Sequence, residues 1–283
     1  MKIVATVAEL REARRAWRGE AASIGFAPTM GNLHAGHLGL FDVLRRAGAD
    51  RLVASIFVNP IQFGANEDLA SYPRTFDADC AQLTAAGADL LFAPAVGEIY
   101  PPGGAPEARI DMVPLSSELC GAFRPVHFPG VLTVVAKLFH MVGPDIAAFG
   151  EKDYQQLVMI RRMVESLNFP VRVVAAPTMR DADGLALSSR NRYLTPPQRA
   201  IAAGLHRALV AACLGIGRGR PLAEIEAETE ARLRREGFEV DYVAVRAAHD
   251  LSRPGEAERE LVVLGAVRLG QTRLIDNERA MRP

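Results

Sequence analysis

Two histidines, His34 and His37, lie in the stretch PTMGNLHAGH, residues 28–37, directly after a short apolar run. Gly31 and Gly36 favour a turn that opens a helix. Backbone N–H groups at a helix N-terminus bind phosphate, and imidazoles placed there can stabilise charge on a transferring phosphoryl group. The stretch lacks the G-x-x-x-x-G-K-[ST] pattern of a P-loop. Phosphate handling is therefore one interpretation of the pair, beside zinc binding and structural packing.

A zinc site would need a third protein ligand close to the two histidines. The sequence has no H-E-x-x-H motif, and its six histidines and three cysteines otherwise form no ligand-spaced cluster. We therefore favour phosphate handling over zinc binding. The widely separated cysteines fit no C-x-x-C pattern, so we expect reduced thiols in a cytoplasmic protein.

A second polar motif, FGEKDYQQ, occupies residues 149–156 and also follows an apolar run. Lys152, one of only three lysines in the chain, could reach the phosphates of a nucleotide, and Gly150 would let the backbone approach the ligand. The alternative interpretation is a charged helix start, in which Asp153 is a favourable N-terminal carboxylate.

The third motif is LSSRN, residues 187–191. Its hydroxyls, its backbone amides and Arg190 would suit a mobile loop that closes over polyphosphate. A Ser/Asn-rich linker is the alternative interpretation of the same residues.

Short apolar runs alternate with helical patterns through the first two thirds of the chain. Continuously apolar strands are typical of a parallel sheet covered by helices on both faces, so we predict an α/β fold with a doubly wound parallel sheet. Ligands of such sheets bind beyond the carboxyl ends of the strands, and PTMGNLHAGH, VNPIQF and FGEKDYQQ each follow a predicted strand. The predicted strands are 22–27, 52–58, 88–93, 145–149 and 171–175, and the predicted helices are 37–47, 75–86, 131–142 and 154–167.

The pattern changes near residue 183, where a smaller C-terminal α+β domain is predicted. Its short apolar runs, with RLGQTR as a turn, indicate a small antiparallel sheet. The predicted helices are 196–214 and 222–236, and the predicted strands are 240–245, 261–267 and 272–275. The two predicted domains are therefore residues 1–182 and residues 183–283.

Composition argues against several classes of function. The 33 basic and 33 acidic residues cancel, so no overall field favours nucleic acid or an anionic membrane. Residues 1–20 carry charges throughout and lack the apolar core of a signal peptide. No uncharged apolar run approaches the length of about 18 residues that a membrane span needs. We expect a cytoplasmic protein with neither nucleic-acid nor membrane partners.

Together the motifs resemble those of the pantothenate synthetases, the pantoate–β-alanine ligase family. The segments PTMGNLHAGH, FVNPIQF, YPRTFDAD, FRPVHFPGV, FGEKDYQQL and DGLALSSRNRYL occur in this order over nearly the whole chain. This family is a branch of the nucleotidyltransferase superfamily that includes the class I aminoacyl-tRNA synthetases. HAGH is similar to their HIGH-type motif, and LSSR stands in place of their KMSKS-type loop. The resemblance implies a Rossmann-like catalytic domain over residues 1–182, binding ATP and pantoate, and a lid domain over residues 183–283.

The resemblance also implies an activity, the ATP-dependent condensation of (R)-pantoate with β-alanine in coenzyme A biosynthesis. The products would be pantothenate, AMP and pyrophosphate, formed through a pantoyl-adenylate intermediate. A free carboxylate is a poor acyl donor, so its activation must precede attack by the amine. Mg²⁺ is expected to bridge the phosphates of ATP, although the sequence identifies no protein ligand for it. The resemblance further implies a homodimer.

Site residues follow from the resemblance position by position. His37, His34 and Lys152 are implied to be catalytic, with the histidines stabilising charge as pyrophosphate leaves. Gln62 and Gln156, with Asn59 beside them, are implied to bind pantoate. The implied ATP site comprises Met30, Gly31, Asn32, Leu33, His34, Ala35, Gly36, His37, Gly150, Glu151, Lys152, Asp153, Met179, Leu187, Ser188, Ser189 and Arg190.

The chain departs from the family pattern at three positions. Val126 stands where the family commonly has glycine, Pro129 where it usually has a charged residue, and Leu187 where methionine is more frequent.

Three other classes of function compete with the ligase: a nucleotidyltransferase with a dinucleotide or CDP-linked product, an RNA-binding relative of the tRNA synthetases, and a metallohydrolase. The GEKD motif with paired glutamines argues against the first. The zero net charge and 6% aromatic content argue against the second, and the lack of a ligand cluster argues against the third.

Overall fold

Six parallel strands form the main sheet of the protein. The structure is a computed structural model that describes residues 1–65, 67–100 and 106–283. The strands are β1 (Lys2–Val4), β2 (Ile24–Thr29), β3 (Arg51–Ile56), β4 (Leu90–Phe92), β5 (Ile146–Gly150) and β6 (Arg172–Ala176). Their order across the sheet is β1-β4-β3-β2-β5-β6, and every pair is parallel.

Helices cover both faces of this sheet, which explains why its strands are continuously apolar. The helices are α1 (Val7–Gly19), α2 (Ala35–Arg46), α3 (Phe76–Ala85), α4 (Val96–Ile99), α5 (Cys120–Phe123), α6 (His127–Val142) and α7 (Tyr154–Ser166). Ala27 of β2 packs in one core cluster with Phe41 of α2. The adjacent Phe26 points the other way, and its ring lies 6.5 Å from that of Phe139 in α6. The predicted doubly wound α/β fold is confirmed.

The strand order reverses beside β2. From β2 the chain continues to β3 and then β4 on one side, whereas β5 pairs with β2 on the other side. In open parallel sheets the crevice at such a reversal, beyond the carboxyl ends of the strands, is where ligands bind. The turn that follows β2 begins at Met30, and the residues after β5 begin at Glu151. The PTMGNLHAGH and FGEKDYQQ motifs therefore leave the sheet from neighbouring strands, β2 and β5.

Several details of this region differ from the sequence-based prediction, which also lacked the short helices α4 and α5. The short edge strand β1 and the helix α1 were not predicted, because β1 has three residues and α1 is mostly charged. A reciprocal capping box starts α1: the Glu9 N–H donates to Thr6 Oγ1, and the Thr6 N–H donates to Glu9 Oε2. Helix α6 begins at His127 rather than at residue 131. Pro129 lies in its first turn, where a missing N–H costs no helical hydrogen bond.

The C-terminal part of the chain contains a three-stranded antiparallel sheet with helices on it, as predicted for an α+β region. Its elements are α8 (Pro196–Ala202), α9 (Gly204–Gly217), α10 (Leu222–Arg235), β7 (Glu239–Ala247), β8 (Glu260–Leu269) and β9 (Thr272–Met281), with strand order β7-β8-β9. The helix predicted at 196–214 is two helices. Strand β9 extends to Met281, well beyond the predicted end at residue 275. The prediction ended too early because the second part of the strand, DNERAM, is too polar to resemble a strand.

Contacts between residues divide the chain into two compact units. The first comprises Met1–Glu151 and Met159–Pro177, and the second comprises Lys152–Val158 and Thr178–Pro283. Tyr154 links its segment to the second unit, because its hydroxyl donates to the Ala248 carbonyl at 2.8 Å. The boundary between residues 182 and 183, proposed as a division into domains, stays a prediction.

One stretch of the described residues, Pro196–Gly217, is long and apolar enough to cross a membrane by length and composition alone. Half of its most apolar window is buried inside the protein, and Ala203 divides it into α8 and α9. Core helices of globular proteins meet the same criterion, so the stretch is weak evidence for a membrane span.

Candidate active site

The turn between β2 and α2 is held in an unusual backbone conformation. Gly31 and Asn32 both have positive φ, at 80° and 51°. The buried carboxylate of Asp79 in α3 accepts the N–H of Asn32 at 2.9 Å and that of Leu33 at 2.8 Å. A Cβ at Gly31 would lie 3.0 Å from the same carboxylate, in a conformation that L side chains rarely adopt. The turn is therefore fixed in advance of any ligand.

His34 and His37 close the start of α2 by capping each other. His34 is the N-cap residue, and its Nδ1 accepts the Gly36 N–H at 3.2 Å. The Nδ1 of His37 accepts the backbone N–H of His34 at 3.3 Å. Their ring centroids lie 4.0 Å apart. The pair thus forms a capping box in which imidazoles take the places usually held by Ser or Thr and by Glu.

This arrangement determines the tautomer of both rings. A nitrogen that accepts a backbone N–H carries no proton, so the proton of each neutral imidazole is on Nε2. Each neutral ring then carries its donor on Nε2, and both residues lie in the first turn of α2, where the helix dipole also favours negative charge. Such an assembly of donors is suited to phosphate oxygens.

The same contacts bear on the zinc alternative. Both Nδ1 atoms are engaged by backbone N–H groups. Within the ranges that the structure describes, no group of three or more His, Cys, Asp or Glu side chains is arranged to hold a metal ion. A zinc site at His34 and His37 would therefore lack a third ligand from these residues.

A buried cluster of polar side chains lies close to this turn. Asn59, which is 1% exposed, donates from Nδ2 to Gln62 Oε1 at 2.9 Å and to the Gly130 carbonyl at 3.1 Å. The Tyr100 hydroxyl donates to Asn59 Oδ1 at 2.7 Å, and burial raises the pKa of this phenol well above its usual value. Gln62 in turn directs Nε2 toward the Met30 sulfur at 3.3 Å. Asn59 thus has both amide hydrogens committed inside the protein, and it orients Gln62.

Helix α6 approaches this cluster very closely. A Cβ on Gly130 would lie 2.6 Å from the Cα of Gln62 and 2.7 Å from the Ile61 carbonyl oxygen. The Gly130 N–H donates to the Val126 carbonyl, which is an early hydrogen bond of α6. The start of this helix is therefore intact, although Val126 and Pro129 differ from the residues usual in the family. Only glycine permits this packing of α6 against the polar cluster.

The residues after β5 include several of the predicted nucleotide contacts. Gly150 ends the strand, and a Cβ there would meet open space. Glu151, Lys152 and Asp153 form a short 3₁₀ turn before α7, with Lys152 Nζ 3.9 Å from Asp153 Oδ1. Gln156 lies half-buried in the first turn of α7. These positions are compatible with ligand contact, and their roles stay predictions.

The third motif lies in a small hairpin of the second unit. The Leu187 N–H donates to the Met179 carbonyl at 2.8 Å, and Arg180 pairs with Ala186 in an antiparallel bridge. The Ser188 hydroxyl then caps a 3₁₀ turn by accepting the Arg190 N–H at 3.3 Å. Two of the predicted ATP contacts, Met179 and Leu187, are therefore brought together. Closure of the segment over a ligand stays a prediction.

The sequence-based prediction did not include Asp79 and Tyr100. Asp79 holds the turn after β2, and Tyr100 donates to Asn59 in the buried polar cluster. Asp79 carried a usable signal: it lies four residues before Leu83 on the same face of α3, and both side chains are buried. A carboxylate on the apolar face of a helix requires buried partners. Tyr100 carried no such signal, because it is 41 residues from Asn59.

The cysteines show no sign of nucleophilic chemistry. None of the three forms a disulfide. Burial raises the pKa of Cys213 to about 12, and burial followed by the nearby Asp77 and Asp79 raises the pKa of Cys80. Because the thiolate is the nucleophile, both thiols are poorly reactive at neutral pH.

Comparison with known proteins completes the assignment. The family model for pantoate-beta-alanine ligase matches residues 2–279. The chain belongs to the pantoate–β-alanine ligase family. The resemblance drawn from the motifs is thereby confirmed, as is the predicted enzyme class, a ligase that forms a carbon–nitrogen bond. The match also decides for this ligase against the competing nucleotidyltransferase, RNA-binding and metallohydrolase classes.

Relatives of this ligase family cover the chain almost completely. The pantothenate synthetase of Pseudomonas putida (strain GB-1) is 56% identical over 98% of this chain and 96% of its own length. That of Shewanella amazonensis is 51% identical over 98% of both chains. The crystal structure of the Thermus thermophilus enzyme matches with a TM-score of 0.91 and 48% identity over the whole of both chains. The Rossmann-like architecture with a small C-terminal α+β region is therefore that of the family.

One related structure carries ligands. The pantoate-beta-alanine ligase of Francisella tularensis, complexed with beta-gamma ATP and beta-alanine, matches with a TM-score of 0.80 and 32% identity. The match covers 98% of this chain and 97% of that one.

Proposed function

We propose that this chain joins pantoate to β-alanine in two steps, using ATP to form a pantoyl adenylate. The observation that carries the proposal is the reciprocal capping of His34 and His37, which directs two Nε2–H donors to the N-terminus of α2. Charge that develops on phosphate oxygens is stabilised by donors already in position. The ligase family supplies the reaction to which this anion site belongs.

In the first step, a carboxylate oxygen of pantoate attacks the α-phosphorus of ATP in line. A new P–O bond forms as the bond to pyrophosphate breaks, so negative charge increases on the leaving group. We assign His34 and His37 to that charge. Such a transfer depends mainly on positioning and electrostatic stabilisation, so no proton need be transferred from the imidazoles.

The nucleotide is assigned to the predicted ATP residues. Lys152 would bind phosphate, Asp153 a ribose hydroxyl, and the Met179 backbone the adenine. Ser188, Ser189 and Arg190 would close over the phosphates, with Leu187 leading into them. Mg²⁺ is assigned to the substrate, as MgATP, because this ion commonly keeps water and phosphate oxygens as ligands. The described residues contain no group of three or more side chains arranged for a metal ion.

Pantoate is assigned to the amides Gln62 and Gln156, because its two hydroxyls and carboxylate need neutral donors and acceptors. Asn59 would act mainly by orienting Gln62, since both of its amide hydrogens are donated inside the protein. In the second step the amine of β-alanine attacks the acyl-adenylate carbonyl. The C–N bond forms, the bond to AMP breaks, and the amine releases a proton to solvent.

Two further proposals rest on the sequence and the family alone. We propose a homodimer, as the family resemblance implies, and a cytoplasmic location, as the three cysteines without a disulfide favour. The expected lack of nucleic-acid and membrane partners stays a prediction.

Exchange of labelled pyrophosphate into ATP tests the proposed function. We expect exchange to require pantoate and to proceed without β-alanine, because the carboxylate must be activated before the amine attacks. Omitting pantoate should abolish the exchange. If exchange occurred only after β-alanine was added, a separate adenylation step would be wrong.

Alanine at Gln62 or Gln156 is expected to weaken pantoate binding while leaving ATP binding nearly unchanged. Loss of a buried hydrogen bond costs about 1–3 kcal/mol, or roughly 5- to 150-fold in affinity. Calorimetric titration with each substrate separates the two effects. Gln271→Ala, an exposed glutamine in the turn between β8 and β9, is the matched control. Equal losses for pantoate and ATP would show that the amides are assigned to the wrong substrate.

A further inference from the structure

Two successive residues of β9, Asp276 and Asn277, are buried polar side chains in the second unit. Neighbouring residues of a strand point to opposite faces of the sheet. On one face, Leu274 and Ala280 pack in the core with α9 and α10. Asp276 lies on that face by its register, and Asn277 lies on the other.

Asn277 holds the segment that carries the GEKD motif. Its Nδ2 donates to the main-chain carbonyl oxygen of Lys152 at 2.9 Å. On the same face two residues along, the Arg279 guanidinium lies 5.5 Å from the centre of the Tyr154 ring. The Asn277 amide therefore determines where the main chain of Lys152 lies, and hence where its side chain starts.

Asp276 holds the base of the hairpin that leads to Ser188. Its carboxylate accepts two hydrogen bonds from the Arg180 guanidinium, at 2.6 and 3.1 Å, and its side chain is 3% exposed. Arg180 also donates to the Gly184 carbonyl at 3.2 Å and forms the bridge with Ala186. A bidentate pair of this kind fixes the orientation of the arginine as well as its position.

The two side chains are joined to each other through the main chain. The Asn277 N–H donates to Asp276 Oδ1 at 2.8 Å, the oxygen that also accepts from Arg180 Nη2. A single dipeptide therefore binds both the Lys152 main chain and the hairpin before Ser188, two segments that are distant from each other in the sequence.

We propose that Asp276 and Asn277 are positioning residues for adenylation, acting through Lys152 and through the Ser188–Arg190 segment. The inference rests on the proposed function, in which both segments bind ATP. Preorganised donors contribute to rate only while their geometry is maintained, so a displacement of about 1 Å can be costly. Neither residue needs to touch a substrate for this role.

The first test is Asn277→Asp, an isosteric change that removes the donor to the Lys152 carbonyl. The new carboxylate is buried beside Asp276 and opposite a carbonyl oxygen, so it should also lower the unfolding temperature. Exchange is therefore measured well below that temperature, where we expect kcat to fall about tenfold. Asn168→Asp, the same change at an exposed turn, is the matched control and should retain full exchange. Asp276→Asn should lower kcat by a smaller factor, because Glu278 Oε1 also accepts from Arg180 Nη2 at 2.6 Å. Wild-type kinetics in both β9 variants would overturn the inference.

A double-mutant cycle separates positioning from general stabilisation. If Asn277 acts through Lys152, then Asn277→Ala should cost little further activity once Lys152 has been replaced by alanine. Fully additive losses would show that Asn277 does not act through Lys152. If Asn277→Ala fails to fold, the isosteric Asn277→Asp replaces it in the cycle. Lack of exchange in the wild-type enzyme would instead refute the proposed function itself.

Discussion

Replacement of His37 by alanine is expected to slow adenylation by roughly 10²–10³-fold, which is the usual cost of losing one preorganised donor. ATP binding in the ground state should weaken far less, because the charge that His37 stabilises develops only as pyrophosphate leaves. Single-turnover formation of the adenylate measures the first quantity, and titration with ATP measures the second.

Glutamine at position 37 should recover part of the lost rate, because an amide can still donate a hydrogen bond without titrating. His249→Ala, at a histidine whose side chain is 66% exposed, is the matched control and should keep full activity. Unchanged adenylation in both His34→Ala and His37→Ala would leave the two imidazoles as packing residues. Stoichiometric zinc in the wild type, lost in both variants, would indicate a metal site instead.

A loss of similar size, roughly 10²–10³-fold in adenylation, is expected for Lys152→Ala. The Lys152 ammonium is the cation assigned to the phosphates, and its side chain is only 19% exposed. Lys152→Arg should recover activity incompletely, because a planar guanidinium does not reproduce a compact ammonium. Rates of pyrophosphate exchange at saturating pantoate measure both variants.

The chain offers a matched control for this second prediction. Lys2 is exposed in the edge strand β1, and Lys2→Ala should leave exchange unchanged. If Lys152→Ala retained the wild-type rate and lost only affinity for pantoate, the assignment of this lysine to ATP phosphates would be wrong.

The sheet could be predicted from the sequence because its cause is local. Ala27 and Phe26 are adjacent apolar residues that pack on opposite faces, and such runs are visible without knowledge of any distant contact. The second half of β9 could not be predicted in this way. Asp276 and Asn277 lie in the strand because their polar groups find partners at Arg180 and Lys152, which are distant in the sequence.

The candidate site shows the same limit. The residue types of His34 and His37 and the glycine turn around them predicted a phosphate-handling helix start. Their mutual capping was not predicted, since imidazoles seldom serve as both members of a capping box. The hydrogen bond from Tyr100 to Asn59 joins residues 41 positions apart, and no local pattern marks such a pair.

The reciprocal cap also limits which substitutions evolution can accept at positions 34 and 37. Each side chain must accept a backbone N–H on its inner side and present a donor on its outer side. Serine can cap a helix but is too short to present an outer donor as well. Ionised aspartate has no donor, and lysine or arginine has no acceptor. An amide has both groups, but they lie together at one end of the side chain, whereas Nδ1 and Nε2 are separated across a ring. The start of this helix and the chemistry proposed for it therefore cannot vary independently.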